Sequence, residues 1–421
     1  MRRRWVWIAV AAVIVLAIAG GLAAWLYTGS KPHSVVGTST QLVPTTTTRP
    51  KPPPKPTAAE ALEPWPTYGY DEQRTRFAAD SPLRPPFRLV WAYRARTLLE
   101  FPPAIAYGNL YVPVERGIAL ALDAKTGKVV WAKPYKACLA SSPTVWRRVV
   151  YFAMMNPCAE PHDTAQGLVV ALAAKTGKEL WRFQLGAAES SPVVVRGTLY
   201  VGSRDDRLYA IDARTGKLRW SFTAGGEIKG GVAYAAHKVF FGAYDGSVYS
   251  LDARTGRLVW KAGAESSFVR SRGRFYANPA IAYGRVFIGA TDGVEYAFGV
   301  GTGALLWARA TGAYVYGSAA IWNGMVYVGS YDHRFYALDA ATGEVRWSFP
   351  TNGPISGSAT VMDGIVYFST LRNRTFGLDA KTGKQVWTFP DGQYSPLVAE
   401  RHLAFFVGHA RIFAFTPRKK S

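Results

Sequence analysis

Between residues 190 and 222 the chain alternates short apolar runs with polar punctuation. Residues 193–195, 199–202, 208–211 and 218–222 are rich in β-branched and aromatic side chains, and Arg196-Gly197, Asp205-Asp206 and the stretch 212–216 separate them. Runs of this length broken by turn residues predict four short strands, named A to D here, joined by tight turns. After residue 64 no stretch repeats its apolar positions every 3.6 residues over a dozen residues, which excludes a helical repeat.

The unit recurs. Aligned on a Thr-Gly pair, seven ten-residue segments of the type "LDARTGRLVW" end at Trp131, Trp181, Trp220, Trp260, Trp307, Trp347 and Trp387. A period of about forty residues with four strands per unit predicts the blades of a β-propeller. Within the motif the Asp accepts amides two or three residues on, and the Gly supplies the positive φ of a tight C-to-D turn. The turn sets the register of strand D, so each tryptophan has the area to fill the wedge between blades. A phosphate-loop reading fails, because Gly127-Lys128 is followed by Val129 and not by Ser or Thr. Ala173 and Gly299 replace the Asp in two units.

Two pieces remain outside the seven units. Residues 87–93 ("FRLVWAY") read as a lone strand D carrying Trp91, and the tail segments "SPLVAE", "HLAFFVG" and "RIFAFTP" read as strands A to C without a D. Together they predict an eighth blade, which closes the ring and removes its free sheet edges. The expected fold is all-β, an eight-bladed propeller of four-stranded antiparallel blades.

The repeated "LDAKTGKxxW" unit resembles the tryptophan-docking repeat of the pyrroloquinoline quinone (PQQ) propeller superfamily over residues 65–417, and "WPTYGYDEQRTRF" (65–77) is similar to its lead-in. That superfamily includes quinoprotein dehydrogenases and the lipoprotein propeller of the outer-membrane assembly machine, so the resemblance implies fold more firmly than activity. In the dehydrogenases it implies PQQ on the propeller axis, Ca²⁺ held by Glu and Asn, an Asp base, a tryptophan floor and often vicinal cysteines. This chain has no vicinal cysteines and lacks long insertions, and Asn278 in "ANPA" is the one ligand position carried over. The expectation is therefore a chain that is not an enzyme and binds no cofactor, with PQQ and calcium as the alternative.

Ahead of the repeats, Arg2 to Arg4 precede an uncharged apolar run over residues 5–27. At 1.5 Å per residue it spans about 34 Å and can cross a bilayer as a helix. The cluster of arginines predicts a cytoplasmic tail (1–4) and an extracytoplasmic remainder, hence a single-pass plasma-membrane protein; a cleaved signal peptide is the competing reading. Residues 28–63 form a Pro/Thr-rich linker, expected to be extended, and 64–421 form the propeller. An excess of 50 Lys and Arg over 28 Asp and Glu gives +22. Such a surface is attracted to anionic polymers or lipid headgroups. Nucleic acid is disfavoured, because basic residues are not interleaved with aromatics.

Metal and hydrolase motifs are absent from the sequence, and the Asp-Gly pairs at 245–246 and 292–293 read as hairpin turns. Two loops break the period: residues 154–167 between strands B and C of blade 2, and 264–279 before blade 5. Both belong on the face opposite the Thr-Gly turns, where Arg270, Arg272, Arg274, Phe275 and Tyr276 form a candidate rim for a protein partner or an envelope polymer such as anionic cell-wall material. Cys138 and Cys158, the chain's two cysteines, lie on that rim too, and an oxidising exterior favours a bond between them. The functional expectation is a membrane-anchored interaction scaffold.

Overall fold

A computed structural model describes residues 34–35, 63–78, 81–155, 166–264, 273–394 and 397–418. Its strands form eight sheets, each carrying A, B, C and D in order. The third blade has strands Val193–Val195, Thr198–Gly202, Arg207–Asp212 and Leu218–Thr223, within a residue or so of the sequence reading. Phe87–Arg94 pairs antiparallel with Arg411–Pro417, which pairs with Ala404–Val407, and that strand in turn with Leu397–Ala399, so both chain ends build the eighth blade. Among the described residues no helix is long and apolar enough to cross a membrane. The expected anchor, residues 5–27, lies outside the described residues.

The repeated motif acts as the sequence suggests, with one addition. In blade 1, Asp123 Oδ1 accepts the amide and hydroxyl of Thr126 (2.8 and 2.7 Å) while the amide of Gly127 bonds the Asp123 carbonyl. Ala173 and Gly299 lose only the side-chain acceptor, since Gly177 and Gly303 still bond their carbonyls (both 2.8 Å). Each D strand then bulges just before its tryptophan, as Ala210 faces Trp220 but Ile211 faces Leu218. The bulge turns the indole inward, and its Nε1 reaches across the seam, as from Trp131 to the Ala174 carbonyl (2.9 Å) and from Trp220 to that of Ala253 (3.2 Å). The next blade's motif glycine lies on the ring: a Cβ on Gly177 would stand 2.7 Å from Trp131. Glycine is thus required for its φ of +66° and again for the indole stacked on it. Trp91, Trp181, Trp260, Trp307 and Trp347 donate across their seams in the same way. The blade 7–8 seam instead uses an aromatic cluster in which Trp387 meets Phe406 and Phe87 at 4.7 and 5.5 Å.

The lead-in segment does more than precede the ring. Trp65 pairs with Ile105 of blade 1, and the carbonyls of Pro66, Glu72, Gln73, Thr75 and Arg76 accept amides from the innermost strands of blades 2, 4, 5, 6 and 7. It therefore threads the axis and ties nearly every blade. Further out, Val35 pairs with Ala308 on the outer strand of blade 5, so the linker is held against the propeller at that point.

Candidate functional site

Chain direction places A-to-B and C-to-D turns on one face and the D-to-A connections on the other, and the latter converge on the axis. The residue two before each A strand forms a ring there. The amides of Ser142, Gly231, Asn278 and Ser318 donate to the side-chain oxygens of Ser191, Asn278, Ser318 and Ser358 in the following blade. Ser358 closes onto the Tyr68 hydroxyl (2.8 Å). Asn278 thus takes a serine's place, its Oδ1 accepting the Gly231 amide. Ser142 Oγ has no partner, because Pro102 stands where the donating amide would be.

Two residues further back, the same alignment yields a column that lines the mouth: Glu100, Glu189, Lys229, Tyr276, Tyr316 and Ser356. Tyr68 also lines it, with the buried guanidinium of Arg76 3.9 Å from its ring centroid. One side of the mouth is charged. Glu189 meets Arg204 at 3.5 Å and Lys229 at 3.8 Å, and Lys229 also holds Glu227 at 3.2 Å. Burial, reinforced by the like charges of Glu189 and Glu115, pushes the Glu100 carboxyl up to about 7. The other side is aromatic, with Tyr276 against Tyr316 (5.5 Å) and Tyr316 against Tyr331 (5.2 Å). Beneath, Arg74 is fully buried and bonds the carbonyls of Val232, Ser191 and Pro192.

The expected partner-binding rim is only partly on this mouth. Arg270 and Arg272 lie outside the described residues. Arg274 is exposed, and its guanidinium lies 5.5 Å from the ring of Tyr244. Phe275 is a correction: it is fully buried, edge-on to Tyr296 at 5.7 Å, because it fills the seam between blades 4 and 5. Tyr276 turns into the mouth. Cys138 is disulfide-bonded; Cys158 lies outside the described residues. Among the described residues no three acidic, His or Cys groups are placed to hold a metal ion.

An eight-bladed ring, closed by both chain ends and carrying a polar mouth on its axis, defines the class as a PQQ-type propeller. A family model described as outer membrane protein assembly factor BamB matches residues 165–313 and 291–420, more than half of the chain, and the chain belongs to that family. It is 32% identical over 162 residues to the 1-butanol dehydrogenase (cytochrome c) of Thauera butanivorans, covering 37% of this chain and 18% of that protein. The chain thus spans under a fifth of that relative's length. Among solved structures it is similar to a quinohemoprotein alcohol dehydrogenase from Comamonas testosteroni (TM-score 0.70, 15% identity, 86% of this chain and 82% of that one). It is also similar to BamB from Moraxella catarrhalis (TM-score 0.63, 14% identity, 78% and 99%).

The match to a dehydrogenase overturns the expectation of a chain that is not an enzyme and takes no cofactor. That expectation rested on the lack of vicinal cysteines and of contiguous motifs. The mouth draws each side chain from a different blade, so its chemistry leaves no contiguous motif to find.

Proposed function

We propose that the chain is a quinone-dependent oxidoreductase acting on an alcohol at the axial mouth. The carrying observation is Glu100, a half-buried carboxyl at the mouth pushed up to about 7 beside Glu189, where a group can both hold and release a proton at neutral pH. The dehydrogenase likeness supports the substrate class. PQQ is a planar tricarboxylate, and the residues fit it in kind: Lys229 and Arg204 would face its carboxylates, with Tyr68 facing its plane. Glu189 would face a divalent cation only by giving up its pairs with Arg204 and Lys229, and Asn278 offers Oδ1 only by releasing the Gly231 amide. When bound, the quinone supplies the two-electron acceptor. Glu100 takes the substrate's hydroxyl proton, and the tyrosine side excludes water. The mouth leaves about 50 Å³ of room, against roughly 300 Å³ or more in sites for small molecules, so loading requires Tyr276, Tyr316 and Tyr394 to turn outward.

The test is dialysis of the full chain against PQQ and Ca²⁺, followed by dye-linked oxidation of 1-butanol. Turnover should rise with pH to a plateau, inflecting near 7. Glu100→Gln should bind the quinone and lose turnover. A chain that takes up no quinone with either calcium or a lanthanide would rule the proposal out.

A second reading, docking of a protein partner on this face, is favoured by the half-exposed Tyr314 packed on Tyr316 at 5.5 Å. Tyr314→Ala should weaken capture of such a partner without changing turnover. In either reading residues 5–27 would anchor the propeller outside the cytoplasmic membrane; accessibility of the propeller to protease added to intact cells tests that placement.

A further inference from the structure

We propose that the face bearing the Thr-Gly turns of blades 1 to 4 docks on an anionic lipid surface. In those four blades each C-to-D turn presents two exposed cations against at most one carboxylate, and that carboxylate, where present, accepts the turn's own amides. The cation after the glycine is Lys128, Lys178, Lys217 or Arg257. Blade 5 has no charge in this turn and blade 6 has Asp339 and Glu344, whereas blade 7 repeats the pattern with exposed Lys381 and Lys384 against Asp379. Blades 5 and 6 thus interrupt the ring, and the contiguous arc of basic turns is that of blades 1 to 4. The A-to-B turns of blades 2 and 3 add exposed Arg147, Arg148 and Arg196 on the same face.

A polyanionic polymer would need only the charge. This arc pairs it with apolar surface: the bulge before each tryptophan turns outward Val129, Val130, Leu180, Leu218, Leu258 and Val259, each between 44% and 53% exposed and beside the cations. Cations flanked by exposed aliphatics suit a headgroup layer over acyl chains. Glu63, where the chain turns in toward the axis, accepts the hydroxyl of Tyr107 in the A-to-B turn of blade 1 on this face. The apolar run 5–27 lies upstream of that point. Ser34 and Val35 hold the outer strand of blade 5, so a bilayer-seated run would keep the propeller within about 25 Å of the lipid, at about 3.5 Å per residue. The mouth then faces away from the lipid.

The experiment follows amide exchange of the full chain in nanodiscs of phosphatidylcholine alone or with about 30 mol% phosphatidylglycerol. Exchange at 126–128 and 215–217 should slow with phosphatidylglycerol only, while the mouth segment 187–191 stays unchanged. Combining Lys128→Gln, Lys178→Gln, Lys217→Gln and Arg257→Gln should weaken docking by roughly six-hundredfold, about fivefold per cation, and remove the protection. Val129→Ser with Leu218→Ser and Leu258→Ser should weaken it too, at unchanged melting temperature. Protection that ignores lipid charge overturns the proposal. So does equal protection by polyphosphate that is indifferent to the three serine substitutions, which would assign the arc to a polymer.

Discussion

Glu295 is a carboxylic acid in a place built for a hydrocarbon. It sits on the third strand of blade 5 opposite Gly289, as Leu208, Val248 and Phe335 sit opposite Gly202, Gly242 and Gly329 in three other blades. It is 0% exposed, and neither carboxyl oxygen has a hydrogen-bond partner. Its cross-strand neighbour Arg309 bonds the Gly343 carbonyl instead. Burial alone raises its pKa well above the ordinary glutamate value, so the folded chain keeps a proton that the unfolded chain releases above about pH 4.3. Stability from this group is therefore fully present below that pH and is lost as pH rises, by up to about 1.4 kcal/mol per pH unit while the folded state holds the proton. The protonated acid still costs about 1–3 kcal/mol for its unmade hydrogen bonds. Glu295→Val should thus stabilise the propeller by about 2 kcal/mol or more at pH 5 and by a margin that widens toward pH 8. Glu295→Gln should remove the pH dependence and keep much of the unmade-bond cost. Melting temperatures of the three proteins at each pH unit from 5 to 8 decide it. A valine variant no more stable than wild type, or a gap that does not change with pH, refutes the reasoning.

Gly216→Ala should destabilise by more than about 2 kcal/mol, since the added Cβ meets the ring of Trp181 at 2.8 Å as well as a φ of +72°; Gly108→Ala, at φ +73° with nothing within 4 Å, should cost only about 1 kcal/mol. Chemical denaturation of the pair isolates the indole contact. Ser318→Ala strips the Asn278 amide of its acceptor and should cost about 1–3 kcal/mol, whereas Ser142→Ala, whose hydroxyl is unpartnered, should be neutral or stabilising in the same denaturation. Thiol titration of the unfolded, unreduced protein should find no reactive cysteine, consistent with the bonded state of Cys138.

The blades were legible because their information is local. A turn aspartate, a positive-φ glycine and a tryptophan lie within ten residues, and closure followed from one surplus strand D and three surplus strands at the tail. The lead-in segment was not legible in the same way, because its carbonyls bond strands up to hundreds of residues away and its side chains show no period. The role of Asn278 was misleading in isolation. Its neighbours in the column, Ser142, Ser191, Ser318 and Ser358, identify it as a ring acceptor. Reading two positions back along the same alignment, through Glu100, Glu189, Lys229, Tyr276 and Tyr316, would have found the mouth. Loop length marked 264–279 as unusual but could not say that Phe275 turns into the core while Tyr276 faces the axis.

The threaded segment also fixes how the mouth can be used. A propeller axis is ordinarily a channel, but here residues 65–77 cross it and bond the inner strands of blades 1, 2, 4, 5, 6 and 7. Below the mouth the space is taken by Tyr68 and by the buried guanidiniums of Arg74 and Arg76, the first of which is pinned to three backbone carbonyls of blades 3 and 4. Opening a passage would mean breaking the backbone bonds of at least one blade together with that arginine's, each worth about 1 kcal/mol net and more for the charged ones. The mouth is therefore a blind pocket. Whatever enters leaves by the same face, and the basic face can be covered without obstructing it.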